Sequence, residues 1–159
     1  MAGLPSAVLF ACTNNTVRSP MAEGLMKRYF GDRVYVDSCG LRVGEPSGFM
    51  SAVMAEAGID MSRHVAKAFD DLEDASFDFV ITLSPEAQHR AVEMTRTMSC
   101  EVVFWNTFDP TVVEGSRTVR LQAFREVRDA LAQRILDRFS TPESPPSGLA
   151  GLGSGREEP

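Results

Sequence analysis

Val8-Leu9-Phe10-Ala11-Cys12-Thr13-Asn14-Asn15-Thr16-Val17-Arg18-Ser19-Pro20-Met21-Ala22-Glu23 decides how this chain reads. It opens as a short apolar run, residues 7–11, apolar throughout like a strand buried on both faces of a parallel sheet. It closes as Ser-Pro-x-x-Glu, a helix start, with Ser19 suited to the N-cap and Pro20 to the first helical position. Between the two lie a cysteine, five residues, an arginine and a serine. A loop leaving a strand and entering a helix aims its backbone N–H groups at one spot, and that spot favours an anion. The positive field favours the thiolate of a cysteine at the strand end. Arg18 adds a planar fork that matches two oxygens of a phosphate-like group. Cys-x5-Arg alone is a weak signal, but its context is selective. Of the three cysteines only Cys12 has an arginine six residues on, since Cys39 meets Glu45 and Cys100 meets Asn106. The stretch reads as an oxyanion-binding loop that carries a nucleophile.

Working outward, strand and helix alternate. Ala22, Leu25, Met26 and Tyr29 recur at helical spacing, and Gly31-Asp32 ends that helix. Residues 34–37 form a second strand, followed by Ser38-Cys39-Gly40, and residues 41–46 form a loop broken by Gly44 and Pro46. Met50, Val53, Met54 and Ala57 give the apolar face of a helix closed by Gly58, and residues 61–68 read as one helical turn and a connector. Residues 77–83 form the third strand, and Ser84-Pro85-Glu86 opens a helix with Ala87, Ala91, Met94 and Met98 on its buried face. Residues 101–105 form a shorter fourth strand, 106–116 a loop with Asp109-Pro110, and 117–139 the longest helix, striped by Phe124, Val127, Leu131 and Ile135. The pattern predicts an α/β fold with a four-stranded parallel sheet and helices on both faces. Ligands bind such sheets at the carboxyl ends of the strands, where the cysteine loop lies. One domain is expected over residues 1–140. The Pro-, Gly- and Ser-rich stretch 141–159 is expected to be a disordered tail.

Composition narrows the function classes. The 159 residues carry a net charge of −6, with 43% hydrophobic and 24% charged residues, as in a soluble globular protein. The acidic balance argues against a nucleic-acid partner. No apolar run approaches the roughly 20 residues of a membrane span, and the first strand is too short for a signal-peptide core, so no membrane partner and a cytoplasmic location are expected. The cysteines have no metal-ligand spacing, so no metal site is expected.

Cys12, Asn15, Arg18, Ser19, Pro20, Met21, Ala22 and Glu23 resemble the low-molecular-weight protein tyrosine phosphatase family, whose loop runs Cys-x-x-Asn-x-x-Arg-Ser before Pro-x-Ala-Glu. The resemblance continues through Val36-Asp37-Ser38-x-Gly40, Gly44-x-Pro46, Ala57-Gly58-Ile59-Asp60 and Asp109-Pro110, over about residues 7–139. It implies a flavodoxin-like three-layer sandwich and a hydrolase that needs neither metal nor other cofactor. Cys12 is then the nucleophile that forms a phosphocysteine. The loop residues Thr13, Asn14, Asn15, Thr16 and Val17, with Arg18, hold the phosphate or another oxyanion. Ser19 bonds the sulfur, Asn15 holds the loop in a left-handed backbone and bonds Ser38, and Asp109 is the general acid. The implied partner is a phosphorylated protein or a small phosphomonoester. An arsenate reductase drawing on an external thiol, and a non-catalytic module that senses phosphate, are the alternatives. Cys39, at the strand end beside the loop, is a candidate to protect Cys12 as a reversible disulfide.

Other residues carry less. His64 and His89 read as surface residues, Cys100 as inert, and Trp105 as core or cleft wall. The chain also departs from the family. Asn14 replaces a loop glycine and is the next best residue for positive φ. Val17 removes the second loop cysteine of many members. Leu41 and Arg42 stand where many members place an aromatic, and Thr111 and Val112 stand in place of tyrosines. The aromatic clamp on a phosphotyrosine ring is therefore weak, and Arg42 favours an anionic substrate.

Overall fold

The structure, a computed structural model, describes residues 3–73 and 76–147. Four parallel strands, β1 (Ala7–Cys12), β2 (Tyr35–Gly40), β3 (Phe79–Thr82) and β4 (Glu101–Phe104), form one sheet in the order β2-β1-β3-β4. β1 lies inside the sheet and is buried along its whole length, which explains its continuous apolar run. Its side chains alternate. Val8, Phe10 and Cys12 enter one core with helices α1 (Arg18–Phe30), α2 (Gly48–Glu56) and α4 (Arg117–Phe139). Ala7, Leu9 and Ala11 enter a second core with α3 (Pro85–Met94). Helices thus cover both faces, and the expected three layers are present.

Two elements end differently from expectation. β2 continues beyond Asp37 through Ser38, Cys39 and Gly40, because β1 runs to Cys12 and pairs Cys12 with Gly40. Residues 61–68 hold one hydrogen-bonded turn, His64 N–H on the Met61 carbonyl at 3.1 Å, but their connector ends in a way the spacing does not show. They cross the end of the sheet, place Ala68 in an isolated parallel bridge with Gly40, and enter a short 3-10 turn at Phe69–Asp71. Apolar periodicity is too sparse in this segment to reveal a single bridge.

Residues 141–147, the described part of the expected tail, hold no helix or strand and lie against the end of α1. Ser147 donates from both N–H and Oγ to the Tyr29 carbonyl at 3.0 Å, and Arg33 Nη2 donates to the Pro145 carbonyl at 2.8 Å. Residues 141–147 are therefore fastened to the C-terminal end of α1. They are held by backbone carbonyls and not by apolar burial, which composition cannot register. Residues 148–159 lie outside the described residues. Among the described residues, no helix is long and apolar enough to cross a membrane.

Candidate active site

α2, α3 and α4 are each capped by a serine, Ser47, Ser84 and Ser116, whose hydroxyl accepts an N–H of the first turn. α1 is different. It begins at Arg18, Val17 holds the N-cap position, and no side chain caps it. The expected cap, Ser19, lies inside the helix with its hydroxyl turned back to the loop, 3.0 Å from Cys12 Sγ. Pro20 is likewise the third helical residue and not the first. A side-chain cap would consume donors that an anion needs.

The loop between β1 and α1 has its carbonyls turned outward. The Cys12, Thr13 and Asn14 carbonyls accept N–H bonds from Leu41, Arg42 and Gly44 at 3.2, 3.1 and 3.0 Å. His64 Nε2 lies 2.9 Å from the Asn15 carbonyl, and since a carbonyl can only accept, that nitrogen carries the hydrogen. In a trans peptide the following N–H points opposite its carbonyl. The N–H groups of Thr13, Asn14, Asn15 and Thr16 therefore face the other way, toward the concave side of the loop, and none has a protein acceptor among the described residues. This is the geometry of an anion cradle.

Asn15 is the pivot of that loop. Its φ of 57° is the one positive value at a non-glycine residue among those described. Asn14, expected to take a positive φ, does not; it packs its Cβ where a side chain on Gly44 would stand, 2.8 Å from the position of an added Cβ. The buried Asn15 amide donates to Ser19 Oγ at 2.8 Å and to Ser38 Oγ at 3.0 Å, and accepts the Lys67 N–H at 2.9 Å. Ser38 passes its hydrogen to Glu23 Oε1, and Glu23 Oε2 accepts from Lys27. Lys67 Nζ reaches Asp37 at 2.6 Å. A left-handed Asn costs strain, and this set of bonds holds it in place. The expected Asn15–Ser38 bond is present. The sequence reading missed His64, Lys67 and the load on Glu23. His64 follows a segment with no regular period, so only the backbone path of residues 58–68 brings it to Asn15. Thr13 Oγ1 also donates to Ser84 Oγ at 3.1 Å, tying the loop to the start of α3.

Arg18 and Asp109 close the other side. Arg18 is 11% exposed at its side chain, donates from Nη1 to the Thr107 carbonyl at 3.0 Å, and places Nη2 4.0 Å from Asp109 Oδ2. Asp109 also performs the turn role, since its Oδ1 accepts from the Thr111 N–H and hydroxyl at the start of the Pro110–Val112 turn. One carboxylate oxygen is held by the turn and the other faces Arg18.

Cys39 is the residue that the structure separates from the loop. Its partner across the ladder is Ala11, one residue before Cys12, so the two thiols leave opposite faces of the sheet. Cys12 belongs to the core under α1 and Cys39 to the core under α3. Burial, and after it the nearby Cys12 charge, pushes the Cys39 thiol well above its ordinary range. A Cys12–Cys39 disulfide would require the end of β2 to turn over, and the protective role expected from sequence proximity does not fit this register. Cys100 is partly buried beside the α3-side core, and burial raises its pKa. Trp105 is core, its ring 6.4 Å from Phe10, and His89 is exposed.

The sequence pattern described as low molecular weight phosphotyrosine protein phosphatase matches residues 7–139. An arsenate reductase of Halalkalibacterium halodurans is 36% identical over 80% of this chain and 91% of its own. Among solved structures, an arsenate reductase in a phosphate-binding state superposes with a TM-score of 0.64 at 27% identity, over 85% of this chain and 99% of that one. A low molecular weight protein tyrosine phosphatase from T. tengcongensis superposes with a TM-score of 0.66 at 26% identity, over 84% and 96%.

Proposed function

The chain belongs to the low molecular weight phosphotyrosine protein phosphatase family, and from that premise we propose that it is a phosphomonoester hydrolase working through a phosphocysteine at Cys12. One observation carries this reading: Cys12 Sγ, bonded to Ser19, sits beneath a loop whose Cys12, Thr13, Asn14 and Asn15 carbonyls turn outward, with Arg18 and Asp109 opposite. In the first step the Cys12 thiolate attacks phosphorus and the ester P–O bond breaks. The leaving oxygen takes the proton from Asp109. The N–H groups of Thr13 to Val17 and the Arg18 guanidinium hold the three equatorial oxygens, so positive charge is in place before the transition state forms. In the second step water attacks phosphorus, its proton goes to the Asp109 carboxylate, and the P–S bond breaks with its electrons returning to sulfur. Ser19 stabilises that thiolate by donating its hydrogen. The Asn15 side chain, Ser38 and His64 hold the loop and touch no substrate.

A second reading follows from the 36% identical arsenate reductase. The same cradle accepts arsenate, and Cys12 displaces hydroxide from arsenic. A thiol then attacks the Cys12 sulfur, giving a disulfide while arsenic leaves with the electron pair as arsenite. Cys39 faces the wrong core, Cys100 lies at the opposite end of β4 from the loop, and residues 83–88 after β3 hold no cysteine. The reducing thiol in this reading therefore comes from outside the chain.

Aryl phosphate hydrolysis and arsenate reduction with an added thiol, measured on the same preparation, separate the two. The hydrolase reading expects turnover of the ester, lost roughly a thousandfold or more in Cys12→Ser and about a hundredfold or more in Asp109→Ala. Arsenate turnover without ester turnover overturns it in favour of the second reading.

A further inference from the structure

The hydrogen bonds beneath the cradle run in one direction, and a residue that the reaction does not touch sets that direction. A backbone N–H can only donate, so the Asn15 atom that meets the Lys67 N–H at 2.9 Å is the carboxamide oxygen. The Asn15 amide nitrogen is thereby turned the other way, where it donates to Ser19 Oγ at 2.8 Å and to Ser38 Oγ at 3.0 Å. With its oxygen already accepting, Ser19 has one hydrogen left to give, and Cys12 Sγ lies 3.0 Å away. Turned over, the same carboxamide would offer Ser19 an acceptor and draw that hydrogen away from sulfur. Asn15, Ser19 and Ser38 are fully buried, so no water corrects a wrong orientation.

Lys67 is held in three places. Its N–H meets Asn15, its carbonyl accepts the Gly40 N–H at 2.9 Å, and its ammonium reaches Asp37 Oδ1 on β2 at 2.6 Å. Only the last of these is made by its side chain. The ion pair is largely shielded, at 30% and 15% side-chain exposure, which makes it stronger than a pair in open solvent. Its segment has little apolar burial to replace it, since Val65 is 76% exposed.

We propose that Lys67 is a positioning residue for Cys12: its ion pair with Asp37 fixes the Lys67 N–H on Asn15, and so aims the Ser19 hydrogen at the nucleophile. This rests on Cys12 as the attacking group, which the hydrolase and arsenate readings share. The charges facing the Lys67 ammonium are Asp37 on β2 and Glu23 on α1, with the Cys39 thiol buried nearby. Arg18, Asp109 and His64, the other titratable groups around the loop, stay in place in every variant below. The Lys67 charge also favours a thiolate directly, through space. The two routes differ in sign when Asp37 is removed. Loss of a nearby carboxylate favours the thiolate through space, whereas loss of the clamp disfavours it through the hydrogen bonds.

Iodoacetamide attacks the thiolate and not the thiol, so its rate at Cys12 reads this without any substrate. The rate is followed across pH on the full chain, with peptide mass spectrometry to place the label. Lys67→Met and Asp37→Ala are each expected to slow alkylation about three- to tenfold on the acid side of the profile and to move the profile to higher pH. Lys67→Arg should restore most of the wild-type rate. In a Ser19→Ala background, Lys67→Met should slow alkylation no further, because the hydrogen it aims is gone. Asp37→Ala keeps the test decidable where Lys67→Met does not fold. Faster alkylation in Asp37→Ala, additive losses in the double variant, or equal rates in wild type and Lys67→Met overturn the proposal. An aryl phosphate that wild type leaves intact, with the alkylation series as expected, removes the hydrolase reading and leaves this one standing.

Discussion

Ser19 shows how one hydroxyl can be committed by its neighbours. Its oxygen accepts from Asn15 Nδ2, so its single hydrogen has two destinations: Cys12 Sγ at 3.0 Å and the Cys39 carbonyl at 3.3 Å. A thiolate is the stronger acceptor and draws the hydrogen to itself, and a sulfur bonded to phosphorus releases it to the carbonyl. In the proposed hydrolase reading the hydroxyl therefore supplies stabilisation when sulfur bears charge, at the beginning of the first step and the end of the second. A hydrogen bond to a charged group contributes about 1.5–3 kcal/mol. Ser19→Ala is expected to lower kcat roughly ten- to hundredfold. Rapid mixing should then show a burst of released aryl alcohol, because breakdown of the phosphocysteine becomes limiting. A uniform fall with no burst would limit Ser19 to a structural part. The position reads as an N-cap in sequence because Ser before Pro commonly caps a helix. Nothing local in the sequence says that the hydroxyl will face sulfur across the loop.

At the level of elements, the site depends on how closely β2 and residues 41–44 approach the loop. Gly40 is where they touch. An added Cβ would stand 2.8 Å from the Asn15 nitrogen and 2.9 Å from both the Asn14 carbonyl carbon and the Arg42 oxygen. All three are backbone atoms and cannot swing away as a flexible side chain would. Gly40→Ala is expected to push the cradle off its geometry, lowering hydrolysis at least about tenfold and stability by about 1–3 kcal/mol. Gly48→Ala is the matched control, since nothing lies within 4 Å of its added Cβ and it is the first residue of α2. It should leave turnover unchanged and hold or raise the urea midpoint. Loss of activity in both variants would show that the Gly40 effect is not one of close approach.

At the scale of the molecule, α2 is clasped to α4 by Glu56, which meets Arg125 at 2.9 Å and Arg128 at 3.1 Å, while Arg128 also donates to the Val53 carbonyl. The Arg125 hydrogen bond above all, with Arg128, holds the Glu56 carboxyl below its ordinary 4.5. A lowered carboxylate contributes stability above that ordinary value and loses it as pH falls through the lower folded value. The Tm difference between wild type and Glu56→Gln should therefore be largest near neutral pH and shrink below about 4.5. A difference that grows in acid would overturn this. The pair is half exposed, so the effect is small. Much of the architecture was legible beforehand for a physical reason: period and punctuation are local. The buried run of β1, the Ser84-Pro85 start of α3 and the stripe of α4 each follow from neighbours in the chain. So did the pairing of a cysteine and an arginine around an anion-binding turn. What only the tertiary structure decided depends on register and approach across distant segments. Strand register put Cys39 on the face away from Cys12, and the bare path of residues 58–68 brought His64 and Lys67 to Asn15. The opening stretch specifies which groups line the cradle, and hydrogen bonds with residues 38, 41, 42, 44, 64 and 67 turn its carbonyls outward and hold Asn15 in its left-handed backbone.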